Sequence, residues 1–97
     1  MATFTLAIYT PEGQAFRGEV ESLEAPGRKG RLGVLAHHAP MITALKRGIL
    51  RAAGGGRDLY FVTGEGVIEI SGGNAVVLAD TAVPAEDSAK AKVLLLS

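Results

Sequence analysis

Apolar and polar positions alternate along most of the chain, and the dominant period is two. Phe4, Leu6 and Ile8 alternate with Thr5, Ala7 and Tyr9 before Pro11-Glu12-Gly13 supplies a tight reversal, which predicts a half-buried strand entering a hairpin. Its partner is predicted over residues 14–16 and 19–25, with a bulge at Gly18 and an end at Pro26-Gly27. Residues 32–35 and 41–45 are two further short apolar runs, and Lys46-Arg47-Gly48 separates the second from a strand over 49–53. Gly54-Gly55-Gly56 turns the chain into a strand over 59–63, and Gly64-Glu65-Gly66 joins that to one over 67–70. After Ser71-Gly72-Gly73-Asn74, the apolar run 75–79 is expected to be buried on both faces or central in its sheet.

Short strands separated by glycine-rich turns every 8 to 12 residues or so predict an all-β sandwich, not an alternation of helix and strand. The character of the sequence changes only after Pro84. There Asp87 or Ser88 can cap a helix made of good helix formers, so a β domain over residues 1–84 is expected to be followed by a short helical stub over 85–97. Helices shorter than about 12–15 residues are marginal alone, so this one needs a surface to pack on. The apolar residues Val93, Leu94, Leu95 and Leu96 sharpen that need, because on a free tail they cost solubility.

Composition narrows the functional classes. A chain of 97 residues, 47% apolar, is long enough for one domain with a single modest core. Ten basic and ten acidic residues cancel, so no global field draws in nucleic acid or an anionic membrane, and any partner is recognised locally. Cysteine is absent, which removes disulfides, thiolate nucleophiles and thiolate metal ligands. No apolar run approaches the roughly 20 residues that cross a bilayer, and no secretory leader pattern opens the chain, which points to a protein kept in soluble form.

One run stands out against this background. Residues 30–40 (Gly-Arg-Leu-Gly-Val-Leu-Ala-His-His-Ala-Pro) place Gly30, Gly33 and Pro40 around His37 and His38, a run expected to resist regular structure and to present the histidine tip for contact. Metal binding fits poorly: adjacent residues on an extended segment point apart, and the chain has only two histidines. Catalysis fits poorly as well, since neither a Gly-x-Ser-x-Gly elbow nor a phosphate-binding Gly-x-x-x-x-Gly-Lys-Ser/Thr pattern occurs. Glu19, Glu21 and Glu24 read as the solvent face of a strand, and Glu12 stands in a turn. No enzyme activity, metal or cofactor is therefore expected. From composition alone, a free-standing β-sandwich adaptor or ligand-binding module fits.

The order of motifs points further. Phe16-Arg17-Gly18 with Val20, the run 30–40 continuing into Met41-Ile42-Thr43-Ala44-Leu45, Gly48, and Asn74 followed by Val76-Val77-Leu78-Ala79-Asp80-Thr81-Ala82 together resemble the ε subunit of rotary F-type ATP synthases. The resemblance runs from Phe4 to about Ala82 and rests on order and spacing, since each piece alone occurs by chance. It implies a two-sheet β-sandwich of about ten short strands, normally followed by a hairpin of two helices. It also implies a non-catalytic rotor subunit of the central stalk, linking the γ subunit to the c ring and coupling ion translocation to ATP synthesis. Thr10, His38, Thr43 and Gly64 would then face γ, while Arg28, Lys29, Arg31 and His38 would face the c ring. The implied location is the cytoplasmic face of a bacterial inner membrane, or an organelle-encoded equivalent, as a peripheral part of the complex without membrane insertion. The family's helical hairpin is its regulatory part, and too little chain follows residue 84 to form it, so neither nucleotide binding nor a brake on hydrolysis is expected.

Three departures from the family pattern are informative. Lys29 and Arg31, with Arg28, stand where acidic or small residues are common, and are expected to face an acidic c-ring loop unless they are simply solvated. His37 replaces a frequent glycine before the His-x-Pro unit, and His38 is expected to hydrogen-bond at the γ interface or within the fold. Glu65 interrupts a turn that usually ends in paired glycines, and reads as a surface charge.

Overall fold

Each period-two run forms strand, and the turns between them divide the chain into ten strands and one helix. A computed structural model describes residues 2–97. The strands are β1 (Phe4–Thr10), β2 (Gly13–Val20), β3 (Ser22–Gly27), β4 (Gly30–Leu35) and β5 (Met41–Leu45), then β6 (Gly48–Gly54), β7 (Arg57–Thr63), β8 (Gly66–Ser71), β9 (Asn74–Ala79) and β10 (Ala82–Ala85). The helix α1 (Ser88–Leu96) closes the chain.

Hydrogen bonding arranges these strands as a nearly closed sandwich. One layer runs β5-β8-β9-β1-β2, and the other runs β4-β3-β6-β7-β10. All pairings are antiparallel except that of β1 with β9. The layers join where Gly27 at the end of β3 pairs with Leu45 of β5. Alternate residues point inward. Leu6, Ile8, Leu45, Leu50 and Ile68 are completely buried, and each such side chain stabilises the fold by about 1.5–3 kcal/mol. The rings of Phe16 and Phe61 meet across the layers at 5.3 Å and 56°.

Four local readings of the sequence are corrected, and a fifth holds in one of its two alternatives. The run 19–25 is not one strand: Val20 and Leu23 both point inward although three residues apart, so the alternation breaks and the chain turns a corner at Glu21, whose N–H donates to Ala53 O (2.7 Å). The bulge falls at Ala15, not at Gly18, because the register jumps from Ile8↔Phe16 to Tyr9↔Gln14. The run 30–40 does contain regular structure, since β4 takes its first six residues and pairs them with β3. β9 meets the second of its two expected alternatives: it is central, between β8 and β1, and it is buried on one face only, with Leu78 51% exposed. β10 escaped the pattern because it is short and holds Pro84, which an edge strand tolerates.

The helix packs on β6, β7 and β10 through Ala91, its one buried residue. The Asp87 carboxylate accepts from the Lys90 N–H (2.8 Å) as an N-cap. At the other end Arg47 donates to the carbonyls of Leu95 and Leu94 (2.5 and 3.4 Å), satisfying orphan acceptors at the negative end of the helix dipole. The sandwich covers the apolar tail only partly, leaving Val93 and Leu96 exposed.

Candidate partner interface

Two basic turns lie side by side at one end of the sandwich. Arg28 and Lys29 form the whole β3–β4 connection, and Gly30 adopts φ +139°, a value side-chain-bearing residues rarely reach. Lys46 and Arg47 form the β5–β6 connection. The turns are tied by their backbones: the Arg28 N–H donates to Ala44 O (3.0 Å) and the Lys46 N–H to Pro26 O (2.9 Å). Arg28 also reaches Glu65 (3.6 Å), so the charge that interrupts the glycine turn has a cationic partner, although both groups are too exposed for the pair to stabilise much. Further along β4, Arg31 donates to Ile49 O (2.7 Å) and lies 3.6 Å from the Glu24 carboxylate. A depression of about 210 Å³ opens between β4 and β5, lined by Gly27, Lys29, Gly30, Arg31, Leu32, Met41 and Thr43.

A second surface is apolar. Strand register aligns Ala44, Val67, Leu78 and Tyr9 across β5, β8, β9 and β1, with Ile42, Glu69, Val76 and Ala7 as the next outward row. Between them the inward row Thr43, Ile68, Val77 and Ile8 feeds the core. The outer rows leave Ile42 69% and Leu78 51% exposed, a large apolar exposure for the middle of a sheet. A cleft of about 350 Å³ extends the face beyond Leu78, walled by Tyr9, Thr10, Pro11, Ala79 and Asp80.

The residues singled out from the sequence distribute unevenly over these surfaces. Thr10 borders the apolar cleft, and its hydroxyl accepts from the Glu12 N–H (3.2 Å). Gly64 is buried at the same end, donating to Thr81 O (3.0 Å) and pressed against Asp80, which with Thr81 also lines a cleft beside Thr10. Thr43 lies in the inward row and opens into the basic depression with Lys29 and Arg31, away from the apolar face. His38 is at the opposite end, in a crevice with Phe4, Leu35, Ile70 and Asn74. Its Nδ1 lies 2.7 Å from Ala39 O and therefore carries the proton of that hydrogen bond. The seven residues of β1 put roughly 20 Å between the His38 end and Thr10. Thr10, Gly64, Arg28 and Lys29 are thus gathered at one end, Thr43 joins Lys29 and Arg31, and His38 stands apart from all of them. His37 is exposed with φ +69°, a left-handed conformation that favours glycine. Among the described residues, no group of three or more His, Asp or Glu gathers as a metal site.

The family model for the β-sandwich domain of the ATP synthase delta/epsilon chain matches residues 3–85. The chain belongs to this family. Relatives within it include the ATP synthase epsilon chain of Desulfitobacterium hafniense (strain DSM 10664 / DCB-2), 38% identical over 84 residues, 87% of this chain and 64% of that one. The epsilon chain of Rhodopseudomonas palustris (strain BisA53) is 41% identical over 87 residues, 90% of this chain and 64% of that one. The chain therefore spans 64% of the length of these curated relatives. Among solved structures, a chain of the Euglena gracilis mitochondrial ATP synthase (OSCP/F1/c-ring in rotational state 1) superposes with a TM-score of 0.80 at 24% identity, over 87% of this chain and 54% of that one. A chain of the Tetrahymena thermophila mitochondrial ATP synthase central stalk and c-ring superposes with a TM-score of 0.69 at 10% identity, over 80% of this chain and 63% of that one. Both structural likenesses concern the fold alone.

Sequence reasoning missed Ile42, Val67, Val76 and Leu78 as surface residues, because an apolar strand reads as buried. The usable signal was that β9 is apolar at outward as well as inward positions. In the sequence Lys46 and Arg47 stand out only as a separator between two apolar runs. Their signal was that residues 25–57, between Glu24 and Asp58, contain no acidic residue and seven of the ten basic ones.

Proposed function

We propose that this chain is the sandwich part of an ATP synthase central-stalk subunit, a non-catalytic rotor element linking γ to the c ring and coupling ion translocation to ATP synthesis. The observation that carries the reading is the apolar outer face of β5-β8-β9-β1, present on a chain of the delta/epsilon family. In this reading γ covers Ile42, Leu78, Tyr9 and the cleft edged by Thr10, with Gly64 holding the adjoining turn. The basic turns, Arg28 and Lys29 with Arg31 beside them, face the c ring. His38 lies on the end remote from those turns, so it serves the γ side or the fold. The subunit works at the cytoplasmic face of a bacterial coupling membrane, as its bacterial relatives suggest. No helix of the described residues is long and apolar enough to cross that membrane.

Co-purification with γ tests the reading. Burying the exposed parts of Ile42 and Leu78 is worth about 1–2 kcal/mol each, and an unpaired carboxylate buried there costs more. Leu78→Asp and Ile42→Asp, both at outward positions, should therefore each weaken γ binding by at least about tenfold while the melting temperature holds. Failure of the unaltered chain to bind γ, or γ binding unchanged in both variants, would sink the proposal.

A further inference from the structure

The net charge of zero conceals a separation of charge. Residues 25–57 hold seven basic residues and no acidic one. The fold then brings two pairs from this stretch, Arg28-Lys29 and Lys46-Arg47, into adjoining turns. Their roles inside the chain differ. Arg28 is engaged by Glu65, and Arg47 by the carbonyls at the end of α1. Lys29 and Lys46 have no ion-pair partner among the described residues. Next to Lys29, the depression between β4 and β5 offers Arg31 and the Thr43 hydroxyl beside the apolar side chains of Leu32 and Met41, and its lining includes no carboxylate.

We infer that this end of the sandwich is a receptor for an acidic polypeptide segment, with one carboxylate side chain seated between Lys29, Arg31 and Thr43 and a second acidic group held by Lys46. The inference rests on the c-ring placement proposed above and adds the chemistry of the partner: its facing loop carries acidic residues. Charge complementarity favours this occupant. Arg31 is already held in place by Ile49 O and Glu24, so it can meet a carboxylate without first being ordered. The lysines supply mobile charge at the rim, where it steers encounter and discriminates against wrong partners. The Thr43 hydroxyl adds a donor, which places this residue at the basic seat and not on the apolar face.

The test measures binding of the full chain to a complex of γ with the c ring from the same organism. Lys29→Gln with Lys46→Gln should weaken binding by about tenfold, and Lys29→Glu with Lys46→Glu by about a hundredfold, each loss shrinking at high salt. Arg57→Glu, an exposed change on the same acid-free stretch but on β7, should leave binding unchanged. A hexaglutamate peptide should bind the unaltered chain more tightly than phosphatidylglycerol vesicles do, and Lys29→Glu with Lys46→Glu should abolish that binding. Equal losses from Arg57→Glu, preference for the vesicles, or full assembly by the doubly reversed chain would each overturn the inference while leaving the rotor reading intact. Failure of the unaltered chain to join the complex would instead overturn the rotor reading itself.

Discussion

Replacing Gly66 by alanine tests whether the sandwich depends on the close approach of β8 to β9. A methyl group at Gly66 would overlap the Leu78 carbonyl oxygen and lie 2.8 Å from Ala79 Cα and 2.9 Å from the Leu78 carbonyl carbon. All three atoms are backbone of the strand paired at Gly66↔Ala79, so no side-chain rotation relieves the overlap. Carbon atoms prefer separations of about 3.5–4.0 Å, so the strands must part by on the order of 1 Å. Overpacking of this kind costs about 1–3 kcal/mol, and weakening the adjacent ladder hydrogen bond adds about 1 kcal/mol. A loss of about 2–4 kcal/mol lowers the melting temperature of a domain this size by roughly 10–30 °C.

Gly33→Ala is the matched control. It lies in β4 with nothing within 4 Å of the added methyl and without a left-handed φ, so the change should be neutral or stabilise by up to about 1 kcal/mol through the unfolded chain. Urea and thermal melts followed by circular dichroism read both variants. If Gly66→Ala melts within about 0.5 kcal/mol of Gly33→Ala, close strand approach is not what requires glycine at position 66.

Three further predictions concern single side chains. The Thr63 hydroxyl is buried without a hydrogen-bond partner among the described residues, so Thr63→Val should raise stability by about 1 kcal/mol in urea melts, and a loss of that size would show the hydroxyl to be bonded. Hydrogen bonds from Thr5 and then Thr3 hold the Glu19 carboxyl below its ordinary value of 4.5. A depressed folded-state value gives stability that is complete above the unfolded value and lost as pH falls through the folded one, so the unaltered chain should lose stability more steeply below about pH 5 than Glu19→Gln. Parallel pH profiles for the two chains would refute this. Arg47→Ala removes charged donors from the last carbonyls of α1 and should speed amide hydrogen exchange in that helix by about 10–100-fold while exchange in the strands stays fixed, as it must if the clasp is local.

How much of this was legible in the sequence depends on whether a property is local. Strand existence is local: alternation and short apolar runs bounded by turns marked the segments that became β1 and β5 to β9, their spacing pointed to a sandwich, and only the last part of β4 lay in a run of that kind. Corners are less so. The break at Glu21 leaves only a spacing of three between the inward residues Val20 and Leu23, a signal easily mistaken for a bulge. β10 depends on an edge of β7 that no local pattern announces. The contact residues were hardest, because they require the register. Thr43 and Ile42 are neighbours in sequence yet face opposite sides of β5, and only the pairing of Thr43 with Ile68 shows which side is the core. Likewise the Arg28 and Lys46 turns are adjacent because Gly27 pairs with Leu45, a contact between residues eighteen positions apart.

That pairing also bears on how a rotor element of this shape would transmit force. The Arg28-Lys29 turn and the apolar face belong to different layers, β3–β4 and β5-β8-β9-β1, and those layers are joined by the Lys46-Arg47 turn from β5 to β6, by the Gly27↔Leu45 pairing and by the two turn-to-turn hydrogen bonds. A load applied at Arg28 and Lys29 therefore enters β5 at its end, and from there crosses the β8 and β9 ladders to Leu78. Ladders resist shear along their whole length because every hydrogen bond must distort together, whereas a flexible loop would absorb the displacement. The inward and outward residues of β5 thus place the basic seat at Thr43 and the apolar patch at Ile42 on one rigid strand. In the proposed assembly, torque between the c ring and γ needs no moving part within this chain. Weakening β5's own pairing, more than trimming either contact surface, would loosen the coupling while leaving both binding faces chemically intact.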